Sequence, residues 1–78
     1  MAMTKNKRDF KLWFDVVLHK SLEDEKTGNG ERLFRSYTFE DAQWHYDERK
    51  VLALPANAYS IGLVEGPFTR PIAARRSA

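Results

Sequence analysis

The chain has 78 residues, 42% hydrophobic and 31% charged, with a formal net charge of +2 and no cysteine. That length fits one domain near the lower limit for a core without covalent staples, and the cysteine count excludes disulfides and thiolate metal sites. No apolar run nears the roughly 18 residues of a membrane-crossing helix, and the basic start leads into alternation rather than a signal-type apolar block, so a soluble, unprocessed, cytoplasmic chain is expected.

Charge is segregated along the chain. Residues 1–20 carry five basic and two acidic groups, residues 21–48 three basic and eight acidic, and residues 49–78 five basic and one acidic. An acidic middle between basic ends does not make the single uniform field that steers a protein to nucleic acid.

Residues 1–8, MAMTKNKR, show no apolar period and are expected to form a flexible basic arm. From Phe10 the pattern alternates strictly. Phe10, Leu12, Phe14, Val16 and Leu18 fall on one side and Lys11, Trp13, Asp15, Val17 and His19 on the other, the period of a half-buried strand. The second side leaves Trp13 and Val17 as an apolar strip, covered by the tail or free as a contact surface, with His19 read as a lone exposed histidine. Residues 21–31, SLEDEKTGNGE, hold the turn-forming Gly28-Asn29-Gly30 and are expected to connect a hairpin. No Gly-Lys-Ser/Thr follows these glycines, so they do not make a phosphate loop. Residues 32–38, RLFRSYT, form the second expected strand, with Leu33 and Tyr37 inward.

Residues 38–55, TFEDAQWHYDERKVLALP, are the expected helix. Thr38 is placed to cap its first turn, with Asp41 where a capping-box acid stands. Glu40 and Asp41 near the start and Arg49 and Lys50 near the end complement the helix dipole, and Pro55 supplies the stop. At about 100° per residue Phe39, Ala42, Tyr46 and Ala53 share the core stripe. Trp44 and Val51 share the opposite side among Glu40, Asp41, Asp47 and Glu48. A tryptophan ringed by carboxylates is a candidate partner-binding patch, since tryptophan is enriched at interface hot spots.

After an Ala-Asn-Ala turn, residues 59–65 make a third strand with Ile61 and Leu63 toward the helix and Gly62 at a bulge or close approach. Gly66-Pro67 ends it, and residues 67–78 are expected to be a flexible basic tail. The order predicts an α+β fold: a two-layer ββαβ domain over residues 9–66, a three-stranded sheet with one helix on one face. Strand order 2-1-3 follows, with the third strand parallel to the first, if the crossover returns beside strand one; an order with strand three beside strand two is the alternative.

His19 and His45 lie on different elements, and WHYDE lacks the paired histidines of a zinc helix. No catalytic, metal or cofactor set is expected, and so no enzyme. Nucleic-acid binding is the alternative: Lys5, Lys7, Arg8 and Lys11 at one end and Arg70, Arg75 and Arg76 at the other can meet phosphates if the termini converge, with Trp13 or Phe68 stacking on bases. A self-assembling structural protein, using sheet surface around Trp13 and Val17, is a third reading.

Ala42-Gln43-Trp44-His45-Tyr46, followed by Pro55-Ala56 and a last strand, resembles the small host RNA polymerase inhibitors of T7-like phages, over residues 32–65. The resemblance implies the element order above and a phage-encoded host-takeover role, binding and inhibiting or redirecting a host enzyme such as RNA polymerase or a defence complex. Leu63 and Glu65 stand where that family has arginines on its last strand, so those contacts do not transfer. The expectation is a non-enzymatic protein, monomer or weak dimer, that binds a host protein complex.

Overall fold

The computed structural model describes residues 11–76. Its elements are β1 (Trp13–His19), α1 (Leu22–Thr27), β2 (Glu31–Ser36), α2 (Phe39–Lys50), β3 (Ser60–Gly66) and β4 (Arg70–Arg76). The strands form one antiparallel sheet in the order β2-β1-β3-β4. The fold is thus α+β, with four strands and two helices rather than the expected three strands and one helix.

Alternation places β1 as expected. Phe14, Val16 and Leu18 lie opposite Glu65, Leu63 and Ile61 of β3, on the side where α2 packs. Val16, Ile61 and Leu63 are at most 2% exposed and form the core with Ala42 and Tyr46. Burying each large aliphatic side chain contributes about 1.5–3 kcal/mol. Phe14, Leu18, Leu33, Phe34, Leu54 and Ala73 close its margin.

The expected parallel pairing of β1 and β3 is corrected. β2 runs antiparallel to β1, and α2 carries the chain back across the face, so β3 is parallel to β2 with β1 paired between them. Order 2-1-3 stands, but β3 is antiparallel to β1. A register shift between Val16 and Val17 makes Leu33 an extra residue on β2. Such a bulge lets consecutive residues both reach the core, so Leu33 and Phe34 are half-buried. Tyr37, expected inward, is instead 61% exposed and edge-on to Trp13 at 6.4 Å.

The connection expected as a plain hairpin contains α1. Ser21 Oγ accepts from Asp24 N at 3.1 Å, and Gly28 closes the helix with φ 78°, which favours glycine. A side chain on Gly28 would also strike the Thr69 carbonyl. α1 packs on β1 and β4, and Glu25 bonds Arg76, which lies opposite Ser60 on the side away from α2.

β4 replaces the expected tail over residues 70–76. Ala73 opposite Leu63 packs on the core, which gives the strand a reason to stay ordered. A second bulge falls at Ile72, beside Pro71, whose missing N–H suits an edge.

α2 ends at Lys50 rather than Pro55. Leu52 N bonds Arg49 O at 3.0 Å in a tightened last turn, and the chain then turns Leu54 into the core. Ala53, placed by periodicity on the core stripe, is exposed because the helix has already ended. Thr38 does occupy the N-cap position but makes no side-chain cap bond. Its N–H donates to Ser36 Oγ at 3.1 Å, and the two hydroxyls are 3.2 Å apart.

Candidate partner-binding surface

α2 presents two unlike faces because Ala42 and Tyr46 are buried on β1 and β3, which turns Trp44 outward. Trp44 is 58% exposed. Its indole stands edge-on to His45 at 4.9 Å, and His45 stacks on Phe34 at 3.7 Å. Phe34 is itself at the core margin, so a relay of rings fixes the exposed indole to the sheet. Sequence periodicity found Trp44 but not this support, since the bulge that brings Phe34 under the helix has no sequence marker.

Glu40, Asp41, Asp47 and Glu48 are all exposed, as expected. Asp47 pairs with Lys50 at 2.9 Å; Glu40, Asp41 and Glu48 make no ion pair among the described residues. Exposed pairs of this kind contribute little to stability. Val51, 70% exposed, caps the helix, and Leu52 beside it is 63% exposed. The surface therefore has a held indole, an apolar end and four exposed carboxylates, of which only Asp47 is paired among the described residues.

The basic residues among the described part of the chain do not form one patch. Lys5, Lys7 and Arg8 lie outside the described residues. Lys11 Nζ sits 5.7 Å from the Tyr37 ring, and Arg70 pairs with Glu65 at 2.9 Å at the same end of the sheet by register. Arg75 and Arg76 stand at the other end of β4, roughly 17–20 Å away at the rise of a strand. Arg76 bonds Glu25 at 3.3 Å and lies over the Tyr59 ring at 5.1 Å.

Of the two readings of the Trp13–Val17 strip, covered or free as a contact surface, the structure shows it largely covered. Val17 is 4% exposed, and the Trp13 indole lies over Gly66 with the Arg35 guanidinium 4.6 Å from its ring. Asp15 anchors that guanidinium at 2.8 Å and holds the Arg35 pKa above its ordinary value. The surface invoked for self-assembly is thus largely covered.

His19, expected exposed, is 1% exposed. Its Nδ1 lies 2.6 Å from the Asn29 carbonyl, which can only accept, so Nδ1 carries the proton. Its ring rests on Gly62, the close approach anticipated there. Ser60 opposite it is fully buried, with no hydrogen bond to its Oγ among the described residues. Glu25 is near enough to feel that hydroxyl but outside hydrogen-bond geometry; chiefly Arg76 holds its carboxyl below the ordinary value, against the opposing effect of burial. Serine, histidine and glutamate are the residue types of a hydrolytic triad, yet here Ser60 and His19 are sealed from solvent and neither lines a cavity described below.

Two clefts flank the loop after α2. One of about 340 Å³ is lined by Lys50, Val51, Leu52, Leu54, Arg75 and Arg76, and one of about 200 Å³ chiefly by Leu18, Leu33, Leu52, Leu54 and Ile61. Among the described residues no three His, Asp or Glu side chains are grouped to hold a metal ion, and no helix is long and apolar enough to cross a membrane. Comparison with protein-family models, curated proteins and solved structures finds no match.

Proposed function

We propose that this protein is a non-enzymatic binding module that acts by occupying the surface of a protein partner with the outer face of α2. The observation that carries this reading is Trp44, exposed yet held by the His45–Phe34 stack, among four exposed carboxylates of which only Asp47 makes an ion pair among the described residues. A pre-positioned indole loses little freedom on binding, and a carboxylate ring selects a basic rim around an apolar pocket. The partner is accordingly a protein surface with that arrangement, and the resemblance in residues 42–46 suggests a phage-type inhibitor or redirector of a host enzyme complex such as RNA polymerase or a defence complex. The fourth strand and α1 depart from the element order that resemblance implied, so it supports the class of action only.

The test is a pull-down with tagged protein from nuclease-treated bacterial lysate, beside Trp44→Ala and an Asp47→Lys, Glu48→Lys double variant. One stoichiometric complex, lost in both variants, is expected; Trp44→Ala should weaken binding by about 2 kcal/mol or more while leaving stability within about 0.5 kcal/mol. Retention of the complex by both variants would sink the α2 reading. Capture only of nucleic acid, from untreated lysate, would replace it with the alternative.

A further inference from the structure

Where α2 ends, the molecule carries a second surface. α2 packs on β1, β2 and β3, while β4 pairs only with β3 and leaves its outer edge open among the described residues. Beside that edge lies the cleft of about 340 Å³, with Lys50, Arg75 and Arg76 supplying cations and Val51, Leu52 and Leu54 an apolar wall. Lys50 is drawn to Asp47 and Arg76 to Glu25, but Arg75 has no acidic partner among the described residues. By register Arg75 lies opposite Ile61, on the α2 side of the sheet, and Arg76 opposite Ser60, on the other. The two arginines therefore flank the open edge from both faces.

We infer that the β4 edge is a second docking site, which takes an extended acidic segment of another protein by strand addition. The segment pairs with the backbone of Ala73–Arg76, puts an apolar side chain against Val51, Leu52 and Leu54, and sets carboxylates on Arg75 and Lys50. Pro71 and the bulge at Ile72 spoil the first half of the strand for pairing, which confines docking to the half beside the cleft. Main-chain pairing gives such a site its affinity and the flanking pockets its selectivity. Charge sets the occupant. A second copy of this edge would crowd four arginines together, whereas an acidic strand meets each with its counter-ion. The cleft lining contains no aromatic ring on which a base can stack, and its apolar wall suits a side chain better than a sugar-phosphate chain.

This site shares Val51 and Leu52 with the apolar end of the α2 surface but needs neither Trp44 nor the acids around it, and it is tested with Trp44 intact. A display library of random octapeptides is selected on the full chain and, in parallel, on Arg75→Glu and Lys50→Glu chains whose circular dichroism melts match the original. The expected outcome is enrichment, on the original chain only, of peptides with alternating acidic and apolar positions. Fluorescence anisotropy on the best of these should show about tenfold or greater loss of affinity with Arg75→Glu. A similar loss is expected when alternate backbone nitrogens of the peptide are methylated, because methylation removes ladder donors without altering charge. Enrichment shared equally by the variants, peptides lacking acids, no enrichment, or binding indifferent to methylation would each overturn strand addition at this edge. Arg75-dependent binding of oligo(dT) with no selected peptide would assign the cleft to nucleic acid instead.

Discussion

Gly62 and His19 show how tightly one residue governs its neighbour. A Cβ at Gly62 would fall inside the His19 imidazole, and that ring cannot swing aside without leaving the Asn29 carbonyl. Gly62→Ala is expected to destabilise the protein by about 1–3 kcal/mol, the usual range for overpacking a closed site, measured by urea unfolding. A change within about 0.5 kcal/mol would mean that the ring relocates freely. Strand alternation correctly put His19 on the side away from α2, and Gly62 was legible as a point of close approach. Its burial was not, because it depends on α1 and the Asn29 backbone folding over that side, and neither is encoded in the alternation of β1.

At the scale of elements, the start of α2 separates position from mechanism. Thr38 has the right place and backbone for an N-cap, yet the side-chain bond there is made by Ser36, which accepts from Thr38 N at 3.1 Å. Thr38→Ala should therefore cost less than the roughly 1 kcal/mol of a working cap, within about 0.5 kcal/mol. Ser36→Ala, which orphans the Thr38 N–H, should cost about 0.5–1.5 kcal/mol. Equal losses in thermal or urea melts of the two variants would refute this division. The end of the helix teaches a related lesson. Pro55 marks where the chain can no longer be helical, while the helix stops five residues earlier, where Leu54 can reach the core.

At the scale of the whole molecule, β4 and α1 hold one another. Glu25 on α1 bonds Arg76 on β4, with its carboxyl pKa depressed mainly by that guanidinium. A depressed carboxyl pKa stabilises the fold above the ordinary glutamate value and gives up that contribution as pH falls through the lowered one. Acid titrations of stability should accordingly show a steeper loss below about pH 4.5 in the original chain than in Glu25→Gln. Parallel titration curves would show that solvent screens the pair completely. Deletion of residues 70–78 tests the strand itself. Because Ile61, Leu63 and Val64 of β3 are buried partly by β4, the shortened chain should lose its cooperative melt, whereas removal of a mere tail would leave the melt unchanged.

The sequence by itself determined the local periods: the inward side of β1, the core residues Ala42 and Tyr46, Ile61 and Leu63 of β3, and the outward Trp44 with its acids. Each follows from spacing along one element, which the backbone repeat fixes before any packing occurs. The tertiary structure alone decided the direction of β3, the bulges that brought Leu33 and Phe34 inward together, the burial of His19 and the conversion of residues 70–76 from tail to strand. Those outcomes depend on pairings between residues far apart in the chain, where the gain from a partner's surface overrides the preference of the segment itself.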